Sequence, residues 1–150
     1  MHNTGERRMN SQGGYDIQDL QVGQTASIAK TVTETDIVLY AGLSTDINPV
    51  HLNEDFARTT PFKTRIAHGM LTAGFISAVL ANKLPGPGTV YLGQTLKFKA
   101  PVRAGDTVVA TATIKEVLVE KRRTIVETIC RVGETVVLEG EATLLCTSAA

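Results

Sequence analysis

The chain has 150 residues with fifteen basic and fifteen acidic side chains, so no net field draws it to nucleic acid or to an anionic membrane. That length bounds one domain, with a core large enough to stand without disulfide or metal staples. Its two cysteines, Cys130 and Cys146, lie in strand-like runs without metal-binding or redox spacing, which reads as two buried thiols in a reducing, cytoplasmic compartment.

Residues 1–14 offer almost nothing apolar to bury and are expected to form a disordered leader, with His2 inert and 15–150 as the folded domain. The same stretch lacks the apolar run of a secretion signal. A Thr/Val/Ile-bearing run over 22–33 predicts a strand. Thr33 then stands as a helix cap, with Asp36 where a capping-box acid belongs. Ile37, Val38, Tyr40, Ala41 and Leu43 supply a short helix that ends in an Asn48-Pro49 turn. Residues 53–58 predict one further helical turn.

The stretch 66–82 contains no Asp, Glu, Lys or Arg in a chain that is 20% charged. Leu71, Phe75, Ile76, Val79 and Leu80 recur at helical spacing, and Ala73, Gly74, Ala78 and Ala81 occupy the other faces. Such a helix is expected to be buried all round. At about 1.5 Å per residue it spans roughly 25 Å. It is too short, and too rich in Gly, Thr and Ser, for a membrane span. Pro85 stops it. Beyond 85–88 the period turns to two, predicting strands over 95–99 and 107–120, then one through Val126, Thr128, Cys130 and Val132. Lys121-Arg122-Arg123 and Gly133-Glu134 mark the turns. In the last strand Val136, Leu138, Ala142, Leu144 and Cys146 are expected to face in, and Glu139 and Glu141 out. One strand, short helices, a buried helix and four mostly antiparallel strands make an α+β layer arrangement, the sheet curled around the helix. One sheet edge and part of the helix stay uncovered. A homodimer joining two sheets edge to edge would cover both.

Asp46 and His51 are the strongest chemical constellation. A turn at Asn48-Pro49 can bring a carboxylate and an imidazole to one pocket wall, and their ordinary pKa values, about 4 and 6.5, suit acid/base work on one water. Spacing alone slightly favours a plainer alternative, in which Asp46 is a helix-terminal turn residue and His51 a surface residue. The start of the buried helix near His68-Gly69 presents unpaired N–H groups and a positive dipole end.

The segments Ser44-Thr45-Asp46-Ile47-Asn48-Pro49-Val50-His51 and Ile66-Ala67-His68-Gly69-Met70-Leu71 resemble the signature of the MaoC-like (R)-specific enoyl-CoA hydratases. Tyr91-Leu92-Gly93-Gln94-Thr95-Leu96-Lys97-Phe98 and Pro101-Val102-Arg103-Ala104-Gly105-Asp106 are similar to that family's later strands and turn. The resemblance covers about residues 17 to 146. It implies a hotdog fold, a homodimer, and reversible hydration of trans-2-enoyl-CoA to (R)-3-hydroxyacyl-CoA. The pathway, polyester precursor supply or fatty-acid breakdown, stays open. Asp46 and His51 match the family's catalytic dyad. One would take a proton from water and the other deliver one to C2, roles left open here. The Gly69 amide would form the oxyanion hole. Among the substrate-binding candidates Asn48, His68, Ser77 and Tyr91, Asn48 would fix the loop or the water. Ser77 would line the acyl tunnel or serve as a core serine bonding its own backbone, and Tyr91 would border the pocket or simply pack. His68 is expected to be structural more than catalytic. Lys121, Arg122 and Arg123 read as a solvated tip. The CoA thioester is substrate, and no metal or cofactor is implied. Two alternatives stand beside this one: an (R)-3-hydroxyacyl-ACP dehydratase and a non-catalytic acyl-thioester-binding hotdog protein.

Overall fold

Alternation builds the sheet. In β4 (Thr107–Leu118) Val108, Ala110, Ala112 and Ile114 are buried, while the residues between them are exposed or half-buried. The two alanines keep the sheet floor low where the central helix crosses it. The computed structural model describes residues 8–149. Residues 1–7, which include His2 and half of the expected leader, lie outside the described residues.

The remaining elements are β1 (Thr25–Thr31), α1 (Glu34–Ser44), α2 (Pro49–Leu52), α3 (Glu54–Ala57), α4 (Gly69–Asn82), β2 (Val90–Gln94), β3 (Lys97–Phe98), β5 (Arg123–Val132) and β6 (Thr135–Leu145). The sheet is antiparallel in the order β1-β4-β5-β6-β2, with β3 also on β6. Helix α4 packs against β1, β4, β5 and β6, burying Leu71, Ile76, Val79 and Leu80. This is the expected α+β arrangement. Cys130 and Cys146 are free and buried, and burial pushes their thiols up to about 12 and about 11.

Five expectations need correction. Helix α4 is not buried all round: Met70, Gly74 and Ala81 are exposed and Ala73, Ser77 and Ala78 half-buried. One curled sheet covers one side of a helix, so an apolar stripe stays open. Five strands, not four, follow α4. The run expected over 95–99 is cut to two residues because Thr95 leaves the ladder to cross β6. There its N–H donates to the Glu141 carbonyl at 2.9 Å and its hydroxyl accepts from the Glu141 N–H at 3.0 Å. Gly140 permits the crossing, since a Cβ there would lie 1.8 Å from the Thr95 carbonyl oxygen. In β6 a register shift opposite Cys130 and Arg131 turns Val137 into the core beside Leu138 and leaves Val136 half-buried. Finally, residues 10–14 are not a structureless leader. The Asn10 side chain accepts from the N–H groups of Gln12 (3.0 Å) and Gly14 (3.1 Å), and the Tyr15 N–H donates to the Pro85 carbonyl at 2.8 Å. Backbone and side-chain hydrogen bonds order this turn without the apolar burial it lacks.

Candidate active site

Two consecutive turns carry the polar residues. Helix α1 ends at Thr45 in the left-handed conformation, φ 66°. The exposed Asp46 follows, its N–H donating to Ser44 Oγ at 3.1 Å. Asn48 caps α2, its side-chain oxygen accepting from the Val50 N–H at 3.1 Å. Pro49 sits at the first helical position, where the missing N–H has no intrahelical partner to lose. This one-turn helix points His51 inward, 8% exposed.

The segment before α4 is pinned at several points. Arg65 pairs with Glu34 of α1 and, at 3.7 Å, with Glu54 of α3, while the Ala67 N–H donates to the Val102 carbonyl at 2.7 Å. The Ile66 carbonyl is thereby placed 2.7 Å from His51 Nδ1. A carbonyl only accepts, so this partner assigns the proton to Nδ1 and leaves Nε2 with a free lone pair. His68, 1% exposed, donates from Nε2 to the Asp46 carbonyl at 2.8 Å. Its Nδ1 is buried with no partner among the described residues. The His51 and His68 rings stack at 3.7 Å and 25°, and Tyr40 of α1 closes on His68 at 4.7 Å. Burial is the main cause holding the His68 pKa below its ordinary value, with the Asp46 carbonyl acting in the opposite sense. One ligating atom from each of Asp46, His51 and His68 lies within 4.8 Å of the others. Two of the four ring nitrogens are already committed to main-chain carbonyls.

Gly69 opens α4, where first-turn N–H groups have no helical acceptor. A cavity of about 400 Å³ lies at this end, lined by Asp46, His68, Gly69, Met70 and Phe98 among others. A groove of about 370 Å³ follows the open stripe of α4 past Met70, Ala73, Gly74 and Ser77, with Tyr91 and Leu96 on its other wall. Met70 borders both. The Tyr91 hydroxyl donates to Gln94 Oε1, and Gln94 Nε2 donates to Thr128 Oγ1 at 2.9 Å. Burial pushes the Tyr91 phenol up to about 12, so it stays protonated.

Asp46, His51 and His68 therefore meet beside Gly69 at one end of α4, and Ser77 and Tyr91 face the groove leading from it. Asn48 serves the loop by capping α2. Lys121, Arg122 and Arg123 line neither cavity. Sequence reasoning missed the Ile66 carbonyl, which has no side-chain signal. It also missed Phe98, whose place in an alternating run did not reveal what its ring covers.

Residues 18–138 match the family model of the MaoC like domain. An (R)-specific enoyl-CoA hydratase of Rhodospirillum rubrum is 61% identical over 129 residues, covering 86% of this chain and 90% of that protein. A 3-hydroxybutyryl-CoA dehydratase of Methylorubrum extorquens is 52% identical over 126 residues, covering 84% and 80%. The solved R-hydratase PhaJ1 from Pseudomonas aeruginosa superposes with a TM-score of 0.85 at 42% identity, covering 91% of this chain and 88% of that one. Its antiparallel sheet around one central helix is the hotdog fold, shared by the present structure. By family model, identity and fold together, the chain belongs to the MaoC-like dehydratases.

Proposed function

We propose that this protein is an (R)-specific enoyl-CoA hydratase, adding water reversibly to trans-2-enoyl-CoA to give (R)-3-hydroxyacyl-CoA. The observation that carries the reading is the His51 imidazole, tied through Nδ1–H to the Ile66 carbonyl so that Nε2 keeps the free lone pair. One nitrogen of that ring lies within 4.8 Å of an Asp46 carboxylate oxygen. Asp46 and His51 form the catalytic dyad. The Asp46 carboxylate accepts a hydrogen bond from the water and orients it. His51 Nε2 takes the water's other proton as the oxygen bonds to C3. The C2–C3 π electrons shift toward the thioester carbonyl, and the resulting enolate oxygen meets the Gly69 amide at the positive end of α4. The imidazolium then returns its proton to C2, so the elements of one water are added and His51 is restored. Every step uses this chain's own groups and one water. The acyl chain runs from Met70 along the groove toward Ser77 and Tyr91. The unpaired edge of β2 and the open stripe of α4 support a homodimer, and two unbridged thiols support a cytoplasmic setting.

The test is steady-state hydration of short and medium trans-2-enoyl-CoA beside the same enoyl-ACP substrates. Asp46→Asn and His51→Ala should each lower kcat by about 10²–10⁴-fold. Their circular dichroism and sedimentation should match the wild type. Near-normal turnover in either variant would refute the dyad. Hydration of enoyl-ACP alone would instead support a carrier-protein dehydratase, the name borne by a relative from Arabidopsis thaliana, 33% identical over 130 residues.

A further inference from the structure

His68 is buried, 1% exposed as a residue, and the chemistry above gives it no proton to move. Yet it touches both members of the dyad in different ways. Through Nε2–H it holds the Asp46 main chain, at 2.8 Å from the carbonyl oxygen. With its ring face it supports the His51 imidazole, stacked at 3.7 Å and 25°. Tyr40 from α1 closes the other side of the ring, so His68 is clamped between the end of one helix and the start of another.

Its remaining nitrogen is anomalous for a purely structural residue. Nδ1 is buried and unpartnered among the described residues, an arrangement that costs stability. An apolar ring of similar size would remove that cost. A histidine that weakens the fold at one atom while fixing two site residues with its others is the pattern of function kept at the expense of stability.

We propose that His68 is the positioning residue of the dyad: its Nε2–H sets where the Asp46 carboxylate sits, and its ring sets the plane of His51. This rests on the reading of Asp46 and His51 as the dyad. The neutral ring is essential to it, because a second proton at Nδ1 would place an unpartnered buried cation against His51. Burial, which holds the His68 pKa down, agrees with that requirement.

Two variants separate the two contacts. His68→Phe keeps a ring for His51 to stack on but gives the Asp46 carbonyl no donor. His68→Gln keeps a donor near the Nε2 position and loses the ring. Displacing reacting groups by about 1 Å costs on the order of 10²-fold in rate. His68→Phe is therefore expected to lower kcat by about 10–10²-fold, with KM within about twofold and a melting temperature equal to or above that of the wild type. His68→Gln should retain part of the lost kcat, because it restores the Asp46 contact. A fall in kcat while the melting temperature holds or rises supports positioning. A purely structural histidine would give kcat loss only in proportion to the unfolded fraction, and that result would overturn the proposal. So would kcat within twofold of wild type in both variants, even with Asp46→Asn and His51→Ala inactive, in which case the dyad reading survives alone. Active Asp46→Asn and His51→Ala enzymes would overturn both.

Discussion

At Gly69 the chain omits a side chain because the Phe98 ring takes its place. A Cβ there would lie 2.5 Å from Phe98 Cε1 and 2.7 Å from Cδ1. Any substitution at 69 therefore moves Phe98 as well as acting on the amide, and a fair test must separate the two. Gly69→Ala and Gly69→Pro, each made in a Phe98→Ala background, both carry a Cβ, but only proline removes the N–H. Proline is compatible with this place: 69 is the first helical position, and His68 before it is extended at φ −62°, ψ 136°. The expected outcome is a proline variant about 10²–10³-fold below the alanine variant in kcat at similar melting temperature. Equal kcat values would place the enolate oxygen elsewhere.

Elements are started and stopped here by a few local devices. Thr33 closes a capping box: its hydroxyl accepts from the Asp36 N–H at 3.1 Å, and its own N–H donates to Asp36 Oδ2 at 2.9 Å. Lys30 of β1 reaches the same carboxylate at 2.6 Å, and these contacts hold the Asp36 pKa below its ordinary value, the Lys30 hydrogen bond first among them. The cap thus sets the angle at which α1 leaves the sheet and carries Tyr40 to the His68 ring. Thr33→Ala should cost about 1 kcal/mol in urea-induced unfolding with an unchanged m-value. A loss indistinguishable from zero would mean the cap is redundant with packing of the buried Ile37 and Ala41.

Among the described residues the sheet ends at β1 on one side and at β2 and the short β3 on the other. Strand β2 itself exposes Val90 and Leu92, and the open stripe of α4 runs through Met70, Gly74 and Ala81. An unpaired strand next to an exposed apolar stripe favours pairing with a second copy. Sedimentation at micromolar concentration is expected to give a dimer, and Val90→Glu, which puts a charge at that edge, should shift it toward monomer. A monomeric wild type would refute edge-to-edge assembly.

The Asn48-Pro49 turn was legible because its chemistry is local. Spacing alone slightly favours a surface His51, and the family resemblance is what brings Asp46 and His51 forward as a pair. The left-handed Thr45 and the Asn48 cap that build the turn emerge only in the structure. The span of the central helix and the capping box were legible because periodicity and capping are short-range, whereas the face of α4 left open was not. What completes the site is long-range. The Ile66 carbonyl fixes the His51 tautomer, yet main-chain carbonyls are alike at every position and leave no mark in sequence. The register shifts in β6, the Thr95 crossing over Gly140 and the Phe98 ring over Gly69 each depend on which strand lies opposite, which alternation alone does not specify. Residue types and spacing determined which groups could do chemistry. Only the packing of α4 against the sheet decided how His68 and Ile66 would hold them, because those contacts join segments that meet only when the chain is folded.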